Sequence, residues 1–235
     1  MAIFDGAAHT YDNWYVTATG RLADAIEKEL VLDVATPVPG ERALDAGCGT
    51  GNYTYLLAGL GLRVAGLDVS EGMLARARSK CTGTGASGRD CPEFVAGDFH
   101  ALPFTAGSFD LVLSVTALEF SPQPGLVLQE ARRVTRRGGR VVLAVLAAGS
   151  PWAELYQEAA RRDPSGVFAH ARFFTAADLR GLDSHHPPDR LVAGLYVTPE
   201  EAAQLPEEQA WAVERAARAR AGGRRPGFLV ARWPV

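Results

Sequence analysis

Apolar residues recur every four positions near the start of the chain, at Leu22, Ile26, Leu30 and Val34, and this spacing predicts an amphipathic helix. Pro37, Pro39 and Gly40 end it. Before it, residues 1–20 carry Phe4, Tyr11, Trp14 and Tyr15 without a sustained period. Beyond residue 40 the pattern changes to short apolar runs closed by glycine or acid. Strands are expected at Arg42-Ala43-Leu44 ending at Asp45, at Arg63 to Leu67 ending at Asp68, and at Glu93 to Ala96 ending in Gly97-Asp98. Phe109 to Val115 is a continuous apolar run of the kind found in a sheet covered on both faces.

Helices are predicted between these runs. One starts at Asn52, a second is capped by Ser70 and runs through Met73, Leu74 and Ala77, and a third carries Val127, Ala131 and Val134. Gly138-Gly139 is expected to cap that third helix before a fifth strand, Arg140 to Leu146. Residues 82–90 are rich in Gly, Ser and Thr and read as a loop. Further on, Pro151-Trp152 and Phe173 to Leu182 suggest short helices, and Leu191 to Val197 a sixth strand. Pro206 opens a helix at its first position, with acids early, Arg215, Arg218 and Arg220 late, and Gly222-Gly223 at its end. Phe228 to Trp233 read as a final strand. Strands alternating with helices imply an α/β fold with a doubly wound, mainly parallel sheet and helices on both faces.

The composition narrows this little. With 235 residues, 47% of them hydrophobic, the chain suits one domain. A net charge of −3 with interleaved signs gives no electrostatic footprint for nucleic acid. The longest aliphatic stretch, Val141 to Ala148, is too short to span a bilayer, and Met1 to Gly6 lack the pattern of a signal peptide. Three cysteines, without close pairs, argue against a disulfide framework and for a reducing, cytoplasmic compartment.

The chemistry concentrates at residues 43–52, Ala-Leu-Asp-Ala-Gly-Cys-Gly-Thr-Gly-Asn. A strand, a glycine-rich turn and a helix N-terminus together form a nucleotide site. The spacing here is Gly-x-Gly-x-Gly, preceded by Asp45, whereas the dinucleotide fingerprint is Gly-x-Gly-x-x-Gly. An acid before the turn repels a pyrophosphate but suits a ligand with an ammonium group. Asp68, at the end of the next strand, is placed to accept from both hydroxyls of a ribose. Asp98 and Phe99, at the end of the third, can read an adenine edge, with Met73 on the adenine face.

At this point the chain resembles the class I S-adenosylmethionine-dependent methyltransferases, in their small methyltransferase-domain branch. The resemblance covers residues 41–147 and rests on Leu44 to Gly51, Gly66 to Ser70, Gly97 to Phe104, Ser108 to Val112 and Arg133 to Arg140. Looser similarity extends to Tyr11-Asp12-x-Trp14-Tyr15 and Gly227 to Val230. Arg136-Arg137-Gly138 departs from the family's usual proline, which bears on loop stiffness alone.

The resemblance implies a seven-stranded sheet with the last strand antiparallel and S-adenosylmethionine across the carboxyl ends of strands one to four. It implies that Asp45, Ala46, Gly47 and Gly49 line the methionine and ribose part, and that Asp68 and Val69 flank the ribose. It further implies that Asp98, Phe99 and Met73 hold adenine, and that the Ser114–Thr116 backbone meets the methionine amino group. Residues 1–40 become a helical lid in which Tyr11, Trp14 and Tyr15 close over the cofactor. Residues 41–147 become the cofactor-binding core, and 148–235 a substrate-side insert with closing strands, all within one domain.

Methyl transfer from a sulfonium needs positioning and a dry site, with a general base only where the acceptor holds a proton. Candidate bases are Glu119, beside the expected acceptor entrance, then His100 and His9. Glu119 could bind an amine or take a proton and reads equally as an exposed loop carboxylate, whereas His100 reads first as a loop histidine shielding adenine. Cys48 is expected to pack inside the glycine turn, and His185-His186 lacks a third ligand for a metal. Trp152, Phe168, Phe173 and Phe174 suggest apolar walls, although helix packing explains them equally well.

The leading expectation is a small-molecule methyltransferase. Ser114-Val115-Thr116-Ala117 lacks the Asn/Asp-Pro-Pro-aromatic of enzymes that methylate bases. A protein-directed methyltransferase stays open. So does a non-catalytic module that senses S-adenosylmethionine or serves in a complex. A nicotinamide oxidoreductase is disfavoured by Asp45 and the glycine spacing.

Overall fold

The computed structural model describes residues 4–81, 91–220 and 223–235. A 3₁₀ turn at Tyr11–Val16 leads into α1 (Ala18–Ala35), whose N-cap Thr17 accepts from the Gly20 amide. The Leu22, Ile26, Leu30 and Val34 stripe of α1 is buried, as the four-residue spacing requires. Alternation follows: β1 (Arg42–Ala46), α2 (Asn52–Gly59), β2 (Arg63–Asp68), α3 (Glu71–Ser79) and β3 (Glu93–Ala96). Ser70 caps α3 through the Met73 amide at 3.2 Å. Then come β4 (Phe109–Val115), a 3₁₀ turn at Leu118–Phe120, α4 (Pro124–Val134) and β5 (Thr135–Leu146). The C-terminal part holds α5 (Pro151–Arg162), a 3₁₀ turn at Val167–His170, α6 (Ala176–Gly181) and β6 (Arg190–Gly194). It closes with α7 (Pro199–Gln204), α8 (Glu207–Ala219) and β7 (Phe228–Pro234).

The seven strands form one sheet in the order β3-β2-β1-β4-β5-β7-β6. β7 runs antiparallel to both β5 and β6, and the other pairings are parallel. Alternate residues of each central strand face opposite layers. Leu111, Leu113 and Val115 of β4, with Val142 and Ala144 of β5, pack toward α1, α2, α5, α7 and α8. Val112, Val141, Leu143 and Val145 pack toward α4 and α6 on the other face. The strand order reverses between β1 and β4, which opens a crevice at the carboxyl ends of those strands.

Four expectations change. Gly138-Gly139 does not cap α4: that helix ends at Val134, β5 begins at once, and both glycines sit inside an irregularity where the register to β4 shifts. Gly139 is needed there because an added Cβ would stand 2.7 Å from the Asp110 carbonyl oxygen. Pro206 is the N-cap residue of α8 and not its first helical residue. Leu195 to Val197 leave β6 and turn their amides onto the buried Glu214 carboxylate, at 2.8, 2.5 and 3.1 Å. Cys81 and Cys91, expected unpaired, are joined as a disulfide with Cα atoms 6.0 Å apart, so the cysteine count no longer argues for a reducing compartment. The expected loop at 82–90 and the Gly222 helix stop lie outside the described residues. Helix α7 was missed, although its capping box, Thr198 with Glu201, was visible in the sequence.

Among the described residues no helix is long and apolar enough to cross a membrane.

Candidate functional site

The crevice holds a cavity of about 400 Å³ at the carboxyl ends of β1 to β4. Its floor is the loop after β1. Gly47 has φ +79° and passes so close beneath the loop after β4 that an added Cβ would stand 2.5 Å from the Ala117 Cβ. Gly49 (φ +53°) has open space where its Cβ would be, so the backbone is bare toward the cavity. Thr116, above it, also holds a positive φ of 48°.

Three carboxylates stand around this floor. Asp45 is 2% exposed and accepts from the Thr54 hydroxyl at 2.6 Å. Burial pushes its pKa up to about 7, the Asp68 charge adding to the effect. Asp68 accepts from the Gly49 amide on one oxygen and from the Ser70 amide on the other, each at 2.8 Å. Both oxygens are thereby fixed in direction with lone pairs to spare. Burial again raises its pKa, against those amide hydrogen bonds. Asp98 accepts from the His100 amide at 2.9 Å and pairs with His100 Nδ1 at 2.6 Å. Burial opposes its ionisation, yet these bonds hold it below the usual carboxylate range. His100 Nε2 meets Ser121 Oγ at 2.7 Å, so the imidazole spans the loops after β3 and β4.

Apolar surface completes the end of the cavity beside Asp98. Met73 is buried, whereas Val69 is 63% exposed and still lines the cavity. Phe99 meets His100 edge to face at 4.7 Å.

The N-terminal segment forms the opposite wall. Phe4, Tyr11 and Tyr15 line the cavity, with Phe4 edge to face on Phe120 at 4.7 Å. Polar clips hold this segment down. The Thr50 hydroxyl donates to Asp12 at 2.7 Å, Lys80 approaches it at 3.0 Å, and the Ser70 hydroxyl donates to Asp5 at 2.6 Å. Burial works against ionisation of Asp12, but the bonds from Thr50, Lys80 and Arg76 outweigh it and hold its pKa low.

Of the residues expected at the site, Tyr11, Tyr15, Asp45, Gly47, Gly49, Asp68, Val69, Met73, Asp98, Phe99 and His100 all line this one cavity. Ala46, Ser114 and Trp14 do not. Ala46 and Ser114 are strand residues buried in the sheet, and the Ser114 hydroxyl has no partner. Trp14 turns the other way and packs edge to face on Trp152 at 6.4 Å and beside Tyr156 at 6.3 Å. His9 is exposed and outside the lining. Glu119 is not the exposed loop carboxylate of its alternative reading. It is 1% exposed, with Oε1 accepting from the Leu146 amide at 2.6 Å and Oε2 unpartnered. Burial pushes its pKa up to about 7. Cys48 is buried, as a packing residue should be. Trp152 and Phe174 are core, whereas Phe168 stacks on Tyr156 at 4.3 Å beyond the N-terminal wall. Thr116, whose backbone was expected to meet the ligand, does line the cavity, whereas sequence reasoning missed Phe4 and Tyr53; a tyrosine at the second position of α2, next to the glycine turn, was the available signal for Tyr53.

The family model described as "Methyltransferase domain" matches residues 44–143. A malonyl-[acyl-carrier protein] O-methyltransferase of Erwinia pyrifoliae is 38% identical over 143 residues, covering 60% of this chain and 52% of that protein. A demethylmenaquinone methyltransferase of Renibacterium salmoninarum is 38% identical over 144 residues, covering 61% and 56%. The chain thus spans about half the length of these curated relatives. A Thermotoga maritima structure described as a SAM-dependent methyltransferase, "possible histamine N-methyltransferase", superposes with a TM-score of 0.72 at 23% identity, covering 99% and 97% of the two chains. The matched segment, the strand order and the acids at successive strand ends agree, and the chain carries a class I S-adenosylmethionine-dependent methyltransferase domain.

Proposed function

We propose that the chain transfers a methyl group from S-adenosylmethionine to a small-molecule acceptor, releasing S-adenosylhomocysteine. The observation that carries this reading is the single cavity that gathers Asp45, Asp68 and Asp98 with the bare Gly49 backbone. The residues fit the cofactor. The two oxygens of Asp68, held by amides, are oriented for a ribose diol, and exposed Val69 beside Met73 offers an apolar face for a base. Asp98 and Phe99 hold adenine, while Asp45 and the Val115–Thr116 backbone face the methionine ammonium. Tyr11 offers a phenol to its carboxylate.

When bound, the cofactor supplies a methyl group already activated on a sulfonium. What the chain contributes is position and dryness. The N-terminal segment, clipped through Asp5 and Asp12, acts as a lid over the cofactor, and Tyr15, Tyr53 and Phe120 wall the space left for the acceptor. The curated relatives named for small-molecule acceptors support that acceptor class. Incubation with S-adenosylmethionine and a panel of small nucleophiles, read as S-adenosylhomocysteine formed, tests the reading. Product with at least one acceptor is expected. Tight cofactor binding without turnover on any acceptor would favour the sensing module instead.

A further inference from the structure

The lining of the cavity carries acids without a balancing cation. The described lining residues include Asp45, Asp68 and Asp98 but no lysine or arginine. Near enough to act on Tyr11 are two further carboxyls, Glu27 on α1 and Glu119 on the turn after β4. They interact electrostatically with each other, with Tyr11 and with Tyr156. Lys28, the cation acting on Glu27, is already held by Asp24 at 2.7 Å and by Asn52 at 2.9 Å. The Tyr53 hydroxyl, which lines the cavity in a residue only 8% exposed, has no partner, and neither has Oε2 of the buried Glu119, the chain neighbour of the lining residue Phe120. A buried polar atom left unpaired is costly, so a ligand that satisfies it is bound more tightly.

Around these groups the wall is aromatic, formed by Tyr11, Tyr15, Tyr53 and Phe120. Ring faces backed by carboxyls attract cations and repel anions.

We propose that the acceptor is an organic amine, bound as its ammonium ion among Tyr15, Tyr53 and Phe120 in the field of the Glu27 and Glu119 carboxyls. This rests on the methyl-donor reading above. Without a cation, burial and the neighbouring acids raise the pKa of Glu27 to about 8, so it keeps its proton near neutrality. An arriving ammonium favours its ionisation. For transfer, one N–H proton passes from the ammonium to a carboxylate of the cluster. The freed nitrogen lone pair forms the N–C bond as the C–S bond breaks, its electron pair going to sulfur. Ammonium, carboxylate and sulfonium thereby become a methylated ammonium, a carboxylic acid and a neutral thioether, with total charge unchanged.

Calorimetry on the S-adenosylhomocysteine-saturated chain tests this with 2-phenylethylamine, 2-phenylethanol and phenylacetate as probes. The amine is expected to bind at least about tenfold more tightly than either isostere. Glu27→Gln and Glu119→Gln, which keep shape, should each weaken the amine at least about fivefold while 2-phenylethanol and S-adenosylhomocysteine stay within about twofold. Equal or tighter binding of the alcohol or the acid, or amine affinity unmoved in both variants, overturns the proposal. Failure of S-adenosylhomocysteine to bind at all sinks the methyl-donor reading, and the amine assignment with it.

Discussion

The Gly49 amide donates to Asp68 Oδ2 at 2.8 Å, tying the loop after β1 to the end of β2. The bond explains two features together. Gly49 is held in a left-handed conformation with nothing over its α-carbon, and Asp68 is aimed before any ligand arrives. A carboxylate fixed in advance loses little freedom on binding a diol. Asp68→Ala should therefore raise the S-adenosylhomocysteine dissociation constant at least about tenfold. Affinity within twofold of the wild type would remove Asp68 from the site.

Gly47→Ala tests the close approach of the two loops. Its Cβ would collide with Ala117, and its φ of +79° is strained for any L side chain. Such a backbone costs roughly 1–3 kcal/mol by itself. A melting temperature lowered by several degrees and cofactor affinity lost are expected. A variant as stable as the wild type would show that the β4 loop does not press on Gly47.

Tyr11 and Trp14 should part company. Trp14 packs on Trp152 and Tyr156, away from the cavity, so Trp14→Ala should cost about 1–3 kcal/mol in urea unfolding with cofactor affinity changed less than threefold. Tyr11→Phe should do the reverse, with stability held and S-adenosylmethionine bound more weakly. Equal effects of both variants on affinity would return Trp14 to the lid.

How much of this was legible in the sequence follows from these two residues. Both lie in the same aromatic segment, and composition cannot say which ring faces the cavity. The 3₁₀ turn sets that, by sending Tyr11 and Tyr15 to one side. Strand ends were easier, because an apolar run closed by an acid marks both the strand and the side chain beyond its carboxyl end. Asp45, Asp68 and Asp98 were read that way. Ser114 was not, because strand alternation buries it inside the sheet one residue before the backbone that lines the cavity. Glu27 was invisible: one of four acids on a helix otherwise read for its apolar stripe, it looks like solvent-facing surface.

Stability should depend on pH in a direction set by the buried acids. Glu119 and Asp45 both have folded pKa values raised to about 7 and Glu27 to about 8, above their ordinary range. A raised folded pKa gives stability that is full below the unfolded value and lost as pH climbs through the folded one. The ligand-free chain should thus be less stable at pH 8.5 than at pH 5, and Glu119→Gln should shrink the difference by on the order of 1–3 kcal/mol. Carboxyls held low, such as Asp12 and Glu201, titrate below this window and do not mask it. A pH slope of the opposite sign, or one that Glu119→Gln leaves intact, would contradict the burial argument.

Calorimetric titration of the chain with S-adenosylmethionine, alongside NAD, addresses the methyl-donor cavity most directly. One equivalent of S-adenosylmethionine should bind with a dissociation constant in the micromolar range or below, on the order of −8 kcal/mol, and NAD should give no heat. Binding of NAD in preference, or no binding of S-adenosylmethionine by the folded chain, would contradict the assignment of the cavity.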